Sequence, residues 1–303
     1  MKTPKEIALE VALAHAYMLA GDAIPYMLAV HPGDLSLSDH SAGVLQGCRM
    51  LGFLEHDAQC IAKAWCAQTQ RTGHFSINDW PCQPEDFDVP PSLQEQSFLR
   101  CPKALGLYAV LPDAKWIERM AHAGVPTLQL RVKSNSLQAI RQEVRAAVHA
   151  VRGTDSLLFI NDHWQIAIDE AAYGVHLGQE DMDDVSLESI RTAGLRLGLS
   201  THGYAEMLRA DALGPSYLAL GAIFPTTLKK MRTAPQGIGR LYAYARLMRH
   251  RSLVAIGGID ESRIKVVMSC GVGSIAMARA ITSTNQPDAY VNMLINRIRA
   301  FQI

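Results

Sequence analysis

The sequence predicts an α/β fold: a (β/α)8 TIM barrel of parallel strands preceded by a small helical N-terminal module. Three observations lead there. Six segments in the last two-thirds of the chain share one layout, an apolar run ending in polar or glycine residues: Thr127–Lys133, Leu157–Asp162, Gly174–Asp181, Leu197–His202, Tyr217–Pro225 and Leu253–Gly258. Helical patterns separate these runs, and short buried strands alternating with helices make a parallel sheet. The composition also changes near residue 100, where prolines cluster.

With 303 residues and 49% hydrophobic content, the chain can bury one large core, or a barrel plus an extra module. Lys plus Arg and Asp plus Glu number 29 each, so no overall basic field favours nucleic acid. An anionic ligand must then be held by local charge. No apolar run approaches the ~18 residues of a membrane span, so no membrane partner is expected. The opening Met1-Lys-Thr-Pro-Lys-Glu6 leads into an amphipathic stretch containing acids, unlike a signal peptide. The cysteines (Cys48, Cys60, Cys66, Cys82, Cys101 and Cys270) form no Cys-x-x-Cys pair, which argues against a zinc site. Reduced thiols in a cytoplasmic protein are the expectation.

Residues 1–80 are taken as a helical accessory module, 81–103 as a Pro-rich linker and 104–303 as the barrel. Residues 4–30 look helical, with Ile7, Val11, Ala14 and Met18 on one face. Residues 41–70 look like one or two more helices carrying Val44, Leu51, Leu54, Ile61 and Trp65. Pro81, Pro84, Pro90, Pro91 and Pro102 disfavour helix and sheet interiors between the two parts.

The barrel strands are expected at Gly106–Val110, Thr127–Val132, Leu157–Ile160, Gly174–Leu177, Arg196–Leu199, Tyr217–Leu220, Leu253–Ile256 and Ser274–Ala278. Helices are expected at Ala114–Ala123, up to Ala150, near Gln165–Ala172, around Leu187–Ala193, over Tyr204–Asp211, near Leu241–Arg249, over Glu261–Cys270 and over Asp288–Phe301. Eight such units in about 200 residues fit a compact barrel. A doubly wound open sheet is the alternative, but no Gly-x-Gly-x-x-Gly turn opens it.

A parallel barrel places its chemistry at the C-terminal strand ends. Alternation along the second strand puts Gln129, Arg131 and Lys133 on one side, where an amide and two cations would converge on phosphate. Solvated charge at a strand end is the plainer alternative. Asn161-Asp162 and Gln179-Glu-Asp181 end the next two strands. Asp162 and Asp181 suit half of a magnesium site completed by a pyrophosphate, although Asn161-Asp162 would equally serve as a helix cap. His176, between Val175 and Leu177, points inward, as catalyst or as core. The loop from Phe224 to Gly237 carries Thr226, Thr227, Lys229, Lys230 and Arg232 and suits a lid over an anion, or a plain surface loop. Gly257-Gly258, with Ala278-Arg279 beside it, occupies the usual phosphate position of this fold. Two anion sites result, one for metal and pyrophosphate and one for a monophosphate.

In this order the motifs resemble the thiamine phosphate synthase family over about Gly106 to Ala300. They are Gln129-x-Arg131-x-Lys133, Ile160-Asn-Asp162, Gly174-Val-His-Leu-Gly-Gln-Glu-Asp181, Ser200-Thr-His202, Phe224-Pro-Thr with Lys229, Ala234-Pro-Gln-Gly237 and Ala255-Ile-Gly-Gly258. The resemblance implies a transferase that condenses 4-amino-5-hydroxymethyl-2-methylpyrimidine diphosphate with hydroxyethylthiazole phosphate. It implies dissociative pyrophosphate departure assisted by Mg2+. Asp162 and Asp181 would bind the metal. Arg131, Lys133, Asn161 and Lys229 would contact pyrophosphate. Gln129, His176 and Ser200 would surround the aminopyrimidine. Thr226, Gly258 and the backbone near Ala278-Arg279 would hold the thiazole phosphate.

Two positions depart from the family pattern. Leu228 replaces a threonine of the cationic loop, where Thr227 is the available substitute, and Arg279 stands where a small hydroxyl residue is common. The first hundred residues lie outside the usual synthase and are expected to be non-catalytic, aiding packing or homo-oligomer formation. Two other readings stay open: a thiazole tautomerase using His202, and a non-catalytic binder of thiazole or thiamine phosphate acting as a regulator.

Overall fold

The computed structural model describes residues 2–19, 39–90, 97–226 and 233–301. Three helices come first: α1 (Pro4–Leu19), α2 (Asp39–Met50) and α3 (Glu55–Thr72). α1 buries Ile7, Val11 and His15, the spacing of one helical face. Gly43 and Gly47 let α2 approach it closely, since a Cβ there would lie 2.6 Å from Ile7 or 2.9 Å from Val11. The helix expected over residues 4–30 is present up to Leu19, and residues 20–30 lie outside the described residues.

The proline-rich stretch packs along both parts of the molecule. Pro84–Phe87 forms a 3-10 turn held by Arg71, which donates to both carboxylate oxygens of Asp86 at 2.8 and 2.6 Å. Further on, Phe98 N–H donates to Gly214 O at 2.8 Å.

The barrel strands are β1 (Gly106–Leu111), β2 (Thr127–Leu130), β3 (Leu157–Asn161), β4 (Gly174–Leu177), β5 (Arg196–Thr201), β6 (Tyr217–Leu220), β7 (Ser252–Ile256) and β8 (Ser274–Met277). All pairings are parallel, in sequence order, and β1 closes against β8. Between and after them lie α4 (Ala114–His122), α5 (Leu137–Ala150), α6 (Trp164–Asp169), α7 (Leu187–Thr192), α8 (Tyr204–Asp211), α9 (Gly237–Leu247), α10 (Ile264–Met268), α11 (Arg279–Thr282) and α12 (Pro287–Arg299).

Strand alternation builds two cores. Leu128, Leu130, Val175, Leu177, Leu197 and Leu199 pack outward in a core that continues into the N-terminal helices. Tyr108, Phe159 and Tyr217 fill the barrel centre with Val254 and Ala276. These rings need small neighbours: a Cβ at Gly174 would lie 2.5 Å from Phe159, and one at Gly198 would lie 2.1 Å from Tyr217. Large rings facing glycines keep the barrel centre packed.

Some boundaries differ from the sequence reading. The second strand stops at Leu130, short of Val132. The helix expected from Leu241 starts at Gly237, because Gln236 and Gly237 donate to Ala222 and Ile223 carbonyls and anchor its first turn. The helix expected over Glu261–Cys270 is a 3-10 turn, Glu261–Arg263, followed by α10. The short α11 was not expected.

Candidate active site

A cavity of about 520 Å³ opens at the C-terminal ends of the strands, with residues from β1 and from every strand end around to β8 in its wall. That volume suits a small-molecule substrate.

Its floor is polar and internally paired. Gln129 Nε2 donates to Asn161 Oδ1 at 2.7 Å. His176 places Nδ1 2.7 Å from the Tyr217 hydroxyl and Nε2 2.8 Å from Ser200 Oγ. The Tyr217 hydroxyl also pairs with that of Tyr108 at 2.7 Å. Burial pushes both tyrosines above their ordinary range, so both stay neutral. His176 therefore points inward, as alternation predicts, in a chain of four side chains rising from the core to the mouth. Gln179 Nε2 donates to Ser200 O at 2.8 Å and holds the end of β5.

Asp162 and Asp181 face this same cavity. Asp162 has φ 62, a left-handed conformation that Asp tolerates better than most residues. Its N–H donates to His176 O at 3.0 Å, tying the ends of β3 and β4. The N-cap position of α6 is His163, whose side chain makes no capping bond. Asp181 Oδ2 accepts from Gly178 N–H at 2.8 Å, which sets its rotamer. Among the described residues, no group of three or more His, Cys, Asp or Glu side chains is gathered for a metal.

Of the expected cations, Arg131 lines the cavity, with its N–H bonded to Leu111 O at 2.8 Å. Lys133 is exposed and outside the lining, because the strand ends at Leu130 and its alternation does not extend that far. Thr226, Gly258, Ala278 and Arg279 are lining residues. Thr227, Leu228 and Lys229 lie outside the described residues. Gly258 has φ 64, and a Cβ there would lie 2.5 Å from Pro225 O, so only glycine fits.

Sequence reasoning missed three contributors. Tyr217 orients His176; its inward position was readable, its partner was not. Arg263 donates to Gly258 O and lies 4.3 Å over the Phe224 ring, clamping the loops after β6 and β7. Glu206 Oε2 accepts from His202 N–H at 2.9 Å and lies 2.6 Å from His202 Nδ1, fixing another lining residue. A His and Glu four apart across a helix start is the signal that was available for that pair.

Comparison with known proteins gives a consistent result. The family model described as thiamine monophosphate synthase matches residues 107–281. The thiamine-phosphate synthase of Neisseria meningitidis serogroup A is 50% identical over 195 residues, covering 64% of this chain and 95% of that protein. That of Serratia proteamaculans is 49% identical over 185 residues, covering 61% of this chain and 87% of the relative. Among solved structures, thiamine phosphate pyrophosphorylase from Pyrococcus furiosus superimposes with a TM-score of 0.58 at 25% identity, covering 65% of this chain and 96% of that one.

Proposed function

Because the chain belongs to the thiamine monophosphate synthase family, we infer that its barrel joins the aminopyrimidine diphosphate to hydroxyethylthiazole phosphate, giving thiamine phosphate and pyrophosphate. The protein is a transferase. The observation that carries the site is the convergence of a paired polar floor and two carboxylates on one cavity.

Roles follow from position and chemistry. Gln129, His176 and Ser200 present fixed donors and acceptors to the aminopyrimidine. Arg131 and Asn161, joined by Lys229, take the pyrophosphate; a guanidinium suits bidentate binding of its oxygens. Thr226, Thr227, Gly258, Ala278 and Arg279 take the thiazole phosphate. The bond between the pyrimidine's exocyclic methylene carbon and the diphosphate oxygen breaks as pyrophosphate leaves with the electron pair, and the thiazole nitrogen then forms the new C–N bond at that carbon. The residues position both partners, exclude water and stabilise the leaving group, so no protein nucleophile is needed.

The donor set fits Mg2+: two carboxylates on one wall supply hard oxygen ligands, and waters and substrate phosphates commonly complete such a site. When bound, Mg2+ neutralises charge developing on the departing pyrophosphate. A cytoplasmic location suits the six free thiols. The tautomerase and binder readings have less behind them, since relatives at 50% identity are named synthases.

Calorimetric titration tests the two anion sites. Aminopyrimidine diphosphate should bind tightly only with Mg2+, and hydroxyethylthiazole phosphate should bind equally well in EDTA. Equal binding of the diphosphate with and without the metal would remove Asp162 and Asp181 from the site.

A further inference from the structure

The N-terminal module reaches the rim of the active site through one carboxylate. α8 follows directly on β5, and the turn between them carries His202 and Gly203. The first amides of a helix lack partners within it, and a Ser, Thr, Asp or Asn at the N-cap normally accepts from them. Here the N-cap is Gly203, which has no side chain to offer. The acceptor comes from α3: Asp57 Oδ1 takes the hydrogen bond of Ala205 N–H at 2.8 Å, from 148 residues away in the chain. A Cβ on residue 203 would lie 2.2 Å from Asp57 Oδ2. Gly203 has φ 177, open to any residue, so glycine is required there by the space the carboxylate occupies.

A second contact fixes the same turn. The ring of Tyr204, the first residue of α8, is fully buried and stacks on Phe87 at 5.4 Å. Its hydroxyl accepts from Trp80 Nε1 at 2.9 Å. Both partners precede the barrel. On the other side of the turn, Glu206 holds His202 in the cavity wall, and Ser200, two residues earlier, is bonded to His176.

We propose that Asp57 is a positioning residue for catalysis: as the capping acceptor of α8 supplied by the helical module, it fixes the β5–α8 turn, and with it Ser200 and His202, where the aminopyrimidine diphosphate binds. The proposal rests on the synthase reading above. It makes the module part of the frame of the mouth, although none of its described residues lines the cavity. A misplacement of about 1 Å at such a site can lower turnover about 10²-fold.

The test uses the full chain and three variants: Asp57→Ala, Asp57→Asn, and the double variant Asp57→Ala with Gly203→Ser. In the double variant the space left by the carboxylate admits a serine, whose hydroxyl caps α8 locally. The expected result is a fall of about tenfold or more in kcat for Asp57→Ala, measured per folded protein. KM for hydroxyethylthiazole phosphate should stay within about twofold, since that site lies on the β6–β8 side. Asn keeps the acceptor, so Asp57→Asn and the double variant should both recover to within about threefold of wild type. A purely structural role would lower the melting temperature and leave kcat and KM of the folded protein alone. A folded Asp57→Ala protein with wild-type kcat overturns the proposal. If Asp57→Ala does not fold, the double variant decides: wild-type-like kcat supports the cap, and an impaired or unfolded double variant overturns it. Wild-type protein that makes no thiamine phosphate in the same assay would instead count against the synthase reading.

Discussion

The Tyr217 hydroxyl lies 2.7 Å from His176 Nδ1, so a residue of the packed barrel centre sets the orientation of an imidazole in the mouth. Tyr217→Phe keeps the ring that fills the space over Gly198 and removes only the hydroxyl. It leaves a buried nitrogen of His176 and the Tyr108 hydroxyl short of a partner, a loss of about 1–3 kcal/mol. Urea unfolding should show that loss, and KM for the aminopyrimidine diphosphate should rise as the imidazole is freed. An unchanged midpoint and KM would mean that the chain of hydroxyls does not hold His176.

Asp181 combines two roles that can be separated. Its Oδ2 caps the loop after β4 through Gly178 N–H, and its charge suits Mg2+. Asp181→Asn retains an acceptor for the amide but loses the charge. Turnover should fall about 100-fold or more, with a higher Mg2+ requirement and little change in melting temperature. Near-normal turnover at low Mg2+ would remove Asp181 from the metal site.

Gly258 is committed by its backbone, with φ 64 and Pro225 O in the space of a Cβ. Gly258→Ala should cost about 1–3 kcal/mol and push apart the loops after β6 and β7. Binding of hydroxyethylthiazole phosphate should weaken more than that of the diphosphate. Equal weakening of both would place the monophosphate elsewhere.

Acid sensitivity should trace to Asp211, away from the cavity. Its Oδ1 meets His250 Nε2 at 2.9 Å and Arg251 Nε at 2.5 Å. Burial pushes this carboxyl up, but the hydrogen bonds from His250 and Arg251 outweigh it and hold the group below its ordinary 3.8. A depressed carboxyl stabilises the fold above the unfolded value, and that stabilisation is lost as pH falls through the lower folded value. Asp211→Asn should therefore cost about 3 kcal/mol near neutral pH, because it leaves a buried Arg251 without its anion. The gap from wild type should narrow below pH 3.8. A gap independent of pH in urea melts would show that the charge contributes nothing.

The barrel was readable in the sequence because its strands are buried on both faces and so stand out as apolar runs closed by polar residues. His176 and Gln129 followed from alternation inside those strands. Lys133 did not, since alternation describes a strand only while the strand lasts, and β2 stops at Leu130. The start of α9 was missed because Ala234-Pro-Gln-Gly237 looks like loop, whereas amide bonds to Ala222 and Ile223 begin the helix there. The docking of the module was illegible for a different reason. Asp57 and Gly203 are far apart in the chain, and a glycine at an N-cap tells a reader only that a cap is missing, not where it comes from.

The most direct measurement is to supply the protein with both substrates and Mg2+ and to quantify thiamine phosphate and pyrophosphate together. Equal amounts of the two are expected, abolished by EDTA and sharply reduced in Asp181→Asn. A folded protein that binds hydroxyethylthiazole phosphate yet forms neither product would rule out synthase activity.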